Sequence, residues 1–129
     1  MKYPIAIDIR KCRIRLHKTM LRKLGNPKYI QLLINPDKMV IAILCVEREI
    51  SGDQSFKINY NIASPDSIEM YSRSLVTQIY DLIKETDVDN TFRIYGEILP
   101  SQNLAVFHLN KRMKVDISWG VLWKKIYIL

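Results

Sequence analysis

The residues best placed by type and spacing to do chemistry are cations. From Met1 to Lys28 there are nine Lys/Arg and one acid, Asp8, a local charge of +8 against +7 for all 129 residues. Everything after Lys28 therefore sums to −1. Charge concentrated in this way suits a polyanion-binding surface better than charge spread evenly. The cations to test are Arg10, Lys11, Arg13, Arg15, Lys18, Arg22 and Lys23. Arg and Lys neutralise phosphates, and each such contact adds salt-dependent affinity without reading a base. The plainer alternative is a solvated charged face, which is what most charge runs are.

Other reactive residue types offer less. His17 and His108 stand far apart with no Cys/His cluster around them, which argues against a metal site. Cys12 and His17 could form a nucleophile and its base only if their side chains met, and a structural role is the expectation. Asp87-Val88-Asp89-Asn90 resembles the start of a calcium loop, but it lacks the central Gly, and position 98 is Ile where an acid should close the loop. The chain has no Gly-rich phosphate loop and no Gly-x-Ser-x-Gly. Neither catalysis nor a cofactor nor a metal is expected.

These cations need elements to hold them. A chain of 129 residues fits a single domain, and 48% hydrophobic with 26% charged residues is a globular mixture. Cys12 and Cys45 sit in apolar runs and read as reduced, buried thiols of a cytoplasmic protein. Asp8 and Arg10 interrupt the first apolar run, so no signal peptide is expected. The longest apolar run, Met39–Val46, is far short of a membrane span.

Ile5, Ile7 and Ile9 alternate with Ala6, Asp8 and Arg10, a strand period that Arg13–Leu16 repeats with both arginines on one face. Lys18–Leu24 reads as a short helix stopped by Gly25 and Asn26-Pro27. Tyr29–Ile34 and Met39–Val46 form a hairpin around Asn35-Pro36-Asp37-Lys38. Both are apolar on two faces, which predicts interior strands covered on each side. Phe56–Ile62 alternates as a half-buried strand. Ser64-Pro65-Asp66-Ser67 predicts the start of the main helix, with Asp66 and Glu69 as a capping box. Its apolar stripe is Ile68, Tyr71, Leu75, Val76, Ile79, Tyr80 and Ile83. Phe92–Leu99 and Leu104–Leu109 form a second hairpin. Lys111, Arg112 and Lys114 are a smaller basic cluster, and Val115–Leu129 is an apolar tail.

The expected fold is α+β, two helices packed on antiparallel sheet. Strand, helix, hairpin and third strand run over Arg13–Ile62, and helix, hairpin and further strand from Ser67 to the tail, an order read as strand, helix and three strands given twice. That order resembles one domain of a DNA sliding clamp, most closely over Tyr71–Leu109. The resemblance implies helices lining a positive inner surface, and a ring closed by self-assembly. Lys18, Arg22 and Lys23 fit this, whereas the second helix carries Glu69, Asp81 and Glu85. Ile14–Ile43 is also similar to the swapped-hairpin DNA-binding domain of AbrB-type transition-state regulators, through its strand, its Arg22-Lys23-Leu24-Gly25 helix end and its hairpin. There the resemblance implies DNA contacts from Arg15, Arg22 and Lys23. It departs from the family at His17, where a Pro is usual, and at Asn26-Pro27-Lys28, where a Gly-Asp turn is usual.

The reading is a non-enzymatic protein that binds nucleic-acid phosphates, in the first instance those of duplex DNA without sequence preference. The alternatives are an AbrB-like regulator and a protein-interaction module whose basic face meets an acidic partner.

Overall fold

The computed structural model describes residues 2–49, 55–60, 66–83 and 91–115. Among them are nine strands and two α-helices. They run β1 (Lys2–Asp8), β2 (Arg13–His17), α1 (Lys18–Lys23), β3 (Tyr29–Asn35), β4 (Val40–Val46), β5 (Ser55–Lys57), β6 (Ser67–Tyr71), α2 (Arg73–Ile83), β7 (Thr91–Leu99), β8 (Leu104–His108) and β9 (Met113–Val115). The α+β expectation holds. The strands join one antiparallel sheet in the order β5-β3-β4-β8-β7-β1-β2-β6, with β9 also on β7.

The sheet does not lie flat beneath a helix layer as the clamp likeness implied. Alternate residues of every long strand point to one interior, and they form one cluster with residues of both helices. Strands from both ends of the path contribute: Phe56 packs against the same cluster as Ile68 and Met70. A flat sheet could not bring its two ends to one core, so this one curls nearly into a barrel. α1 follows the His17 end of β2. α2 begins at the other end of the β2–β6 ladder, where the Ser72 N–H bonds the Cys12 carbonyl. Met20, Leu21, Leu75, Val76 and Ile79 are its fully interior helix residues.

The pairing is symmetric apart from β1–β2, which has no β5–β6 counterpart. β4 pairs β8 and β2 pairs β6, while β3–β5 matches β7–β1. The repeated order is therefore two strands, helix, hairpin: β1-β2-α1-β3-β4, then β5-β6-α2-β7-β8, with β1 paired to β2 but β5 and β6 at opposite ends of the sheet. Strand, helix and three strands do follow one another twice, from β2 and again from β6. The place that β5 takes beside β3, however, is taken beside β7 by β1, and β9 runs on after β8.

Both hairpins stand as expected, and so does α1. Gly25, at φ +87°, ends α1: its N–H bonds the Arg22 carbonyl and the Asn26 N–H bonds the Leu21 carbonyl, which is the Schellman arrangement. The start of the main helix was misplaced. Residues 67–71 are strand β6, because Ile68 and Met70 alternate inward against Ser67, Glu69 and Tyr71 and give β2 its second neighbour. Ser72 caps the helix instead, accepting the Leu75 N–H (3.2 Å). Tyr71 is consequently 61% exposed and belongs to no helical stripe. β3 and β4 are interior strands, but their outer face is not covered by the described residues: Leu33 is 39% exposed. β5 is shorter than Phe56–Ile62, and the tail beyond Val115 and the loop at 87–90 lie outside the described residues. No helix among the described residues is long and apolar enough to cross a membrane.

Candidate nucleic-acid interface

The pleat of β2 sorts its residues. Ile14 and Leu16 point into the core, which leaves Arg13, Arg15 and His17 on the outer surface. Arginines there need carboxylates or water, and both neighbouring strands supply carboxylates. Arg13 Nη2 meets Asp8 Oδ2 of β1 at 3.1 Å, and its Nη1 reaches Glu69 Oε1 of β6 at 3.5 Å. Arg15 Nη2 donates to the same Glu69 oxygen at 2.7 Å. The Tyr71 hydroxyl donates to Glu69 Oε2 at 3.2 Å.

Titration follows from these contacts. The Arg15 hydrogen bond is the main reason the Glu69 carboxyl lies below its usual range; desolvation opposes it, and the charges of Arg13 and Arg15 add to it. For Arg13 desolvation is the largest single influence and acts downward. Glu69 and Asp8 together outweigh it, and its pKa is raised. This quartet of two arginines and two carboxylates carries no net charge.

The seven expected cations thus fall into three groups. Arg10 and Lys11 are exposed in the β1–β2 turn, where the Lys11 backbone N–H bonds Asp8 Oδ1 (3.2 Å). Arg13 and Arg15 occupy the middle, already engaged. Lys18, half-buried, donates from Nζ to the Tyr60 carbonyl (3.4 Å), while Arg22 and Lys23 are exposed in the last turn of α1. A helix C-terminus favours cations in any case, so the last two have a structural reason to be there. β2 separates the outer groups by roughly 17 Å at about 3.4 Å per residue.

Pairing brings up a residue that the N-terminal run does not contain. Arg93 of β7 is the Cα partner of Ala6, whose partner on the other side is Arg15. The two arginines flank one small side chain on a shared face. Arg93 is exposed and has no ion-pair partner among the described residues. Phe92 and Ile94 turn inward beside it, so alternation within β7 was a readable signal for its outward side chain. Its proximity to Arg15 was not readable without the register.

The remaining reactive groups are dispersed. Cys12 and His17 lie at opposite ends of β2, too far apart to act as a pair. Burial, aided by Glu47, pushes the Cys45 thiol up to about 11, which makes it a poor nucleophile. Both cysteines are free thiols. Among the described residues no three His, Cys, Asp or Glu gather as metal ligands. Arg112 of the smaller basic cluster lies over the Phe92 ring, 5.6 Å from its centre. No protein family, curated protein or solved structure matches this chain.

Proposed function

We propose that this protein is a non-enzymatic nucleic-acid-associated module that grips phosphates through the cations of β1, β2 and α1. The observation that carries the reading is the concentration of +8 in the first 28 residues, with Lys11, Arg22 and Lys23 exposed beside the β1–β2 turn and at the end of α1. Arg10 and Lys18 extend those two groups. Arg13 and Arg15, being paired, act mainly by fixing the strand between them. Duplex DNA is the first ligand to test. Clamp-like use of the fold would ask both helices for cations, but α2 has no basic residue in its last turn.

One observation favours a second reading. Asp8 and Glu69 already neutralise Arg13 and Arg15, as they would in a module whose basic face meets an acidic protein. An AbrB-like regulator would exchange its hairpin between chains. Here β3 and β4 find both neighbours, β5 and β8, in their own chain.

The test is a salt titration of DNA binding. Log K against log salt should slope by about −0.9 per phosphate neutralised. Lys11→Glu, Arg22→Glu and Lys23→Glu together should flatten that slope and weaken binding to every sequence alike. Wild-type protein that ignores DNA at low salt, but binds an acidic polypeptide, would put the interaction module in its place.

A further inference from the structure

We infer that the hollow over Ala6 is a binding site for one phosphate-class oxyanion, held between Arg15 and Arg93. The face of β7, β1 and β2 has a gap there because Ala6, with no side chain beyond Cβ, stands where both neighbouring strands carry arginine. The gap holds about 230 Å³, and Pro4, Ile5, His17, Asp66 and Ser67 line it as well. Pockets for drug-sized ligands start at roughly 300 Å³, so this one suits a small anion. Cα atoms two strands apart are separated by roughly 10 Å, a spacing that lets two long side chains close on one ligand from opposite sides.

Donor capacity at the gap is in excess. Arg15 spends only Nη2, on Glu69, and its Nε is buried without a hydrogen-bond partner. Arg93 has no ion pair among the described residues. A guanidinium offers five N–H donors in a planar fork that fits phosphate oxygens in pairs, and such charge-assisted bonds are the strong ones. Glu69 is committed to Arg13, Arg15 and Tyr71. The exposed Asp66 is then the one carboxylate at the rim not tied to Arg15. Its charge opposes any anion in the gap, and the two guanidinium groups must outweigh it.

The site goes beyond the proposed grip on a nucleic acid, since Arg93 lies outside the N-terminal basic run. The probe is inorganic phosphate, followed by backbone and arginine Nε–H NMR signals of the full chain at constant ionic strength. Saturable shifts at Ala6, Arg15 and Arg93 are expected. Arg93→Gln should weaken binding about tenfold, the size of one charge-assisted bond. Ala6→Leu should abolish it by filling the gap while leaving both arginines in place. Dimethyl phosphate, tested alongside, separates the sources: saturation by both probes marks a chain phosphodiester, and saturation by inorganic phosphate alone marks a terminal or free phosphate. Shifts that never saturate, that chloride reproduces, or that saturate in Arg93→Gln at the wild-type phosphate concentration would overturn the site. The Lys11, Arg22 and Lys23 reversals leave the hollow intact, so the failure of one reading is distinguishable from the failure of the other.

Discussion

The two units, β1 to β4 and β5 to β8, bury equivalent residues and do opposite things with size. Their hairpins after the helix superpose by turn: Pro36 and Pro100 each open a four-residue connection, and Met39 and Asn103 each close it at φ 54°. Four residues before each proline stand Leu32 and Gly96. Seven after stand Ile43 and Phe107. Leu32 faces Ile43 across the first hairpin. In the second, a Cβ on Gly96 would strike the Phe107 ring and the Val106 carbonyl. The first unit fills its share of the core with two middle-sized side chains, the second with one ring laid on bare backbone. Interior volume is fixed by close packing, whereas its division between facing positions is free.

That difference can be broken most sharply at Gly96. Gly96→Ala should cost about 3 kcal/mol or more in urea denaturation, because one obstructing atom is backbone and cannot swing away. An unchanged midpoint would mean that the second hairpin is spaced more widely than described.

The units also differ in how they anchor their helices. α1 has no side-chain cap at His17 and relies on its Gly25 exit, whereas α2 relies on Ser72 at its entry. Ser72→Ala and Gly25→Ala should each lower stability by about 1 kcal/mol. Nothing lies within 4 Å of a Cβ at Gly25, so its loss is purely conformational. His17→Ala should lose no capping energy. A thermal-melt series over the three variants tests the asymmetry, which fails if His17→Ala matches Ser72→Ala.

The smallest expected effect lies where the units meet, on the β2–β6 ladder. The folded-state pKa of Glu69 is lowered, so the stability it contributes is complete above its unfolded value, about 4, and fades as pH falls through the lower folded value. Glu69→Gln should therefore narrow the stability gap between pH 6 and pH 3. An acid limb identical to wild type would show that the Arg13 and Arg15 contacts are too solvated to matter.

Legibility followed locality. The hairpins around Pro36 and Pro100 and the helix ended by Gly25 are written in adjacent residues, and each was readable. β6 was misread because Ile68, Tyr71 and Leu75 also satisfy helical spacing, and only pairing with β2 decides for the strand. The seven cations were legible as a group. Their division was not: whether Arg13 and Arg15 are free depends on Glu69, more than fifty positions away. Arg93 escaped for the same reason, since it becomes a neighbour of Arg15 only through Ala6.

β1 pairs β7 for its whole length, Lys2 opposite Glu97 and Asp8 opposite Thr91, and pairs β2 from Ile5 to Asp8. The consequence is one of timing. As the chain leaves the ribosome, β1 has only β2 to pair with, and its other edge stays open until β7, more than eighty residues further along, has been made. Closing so long a loop is slow, and an open strand edge meanwhile invites wrong partners. Lys2 at one end, Pro4 along the strand and the charged Asp8 at the other are residues that blunt such an edge. The earliest-made piece of the barrel is thus guarded through a wait that its own position imposes.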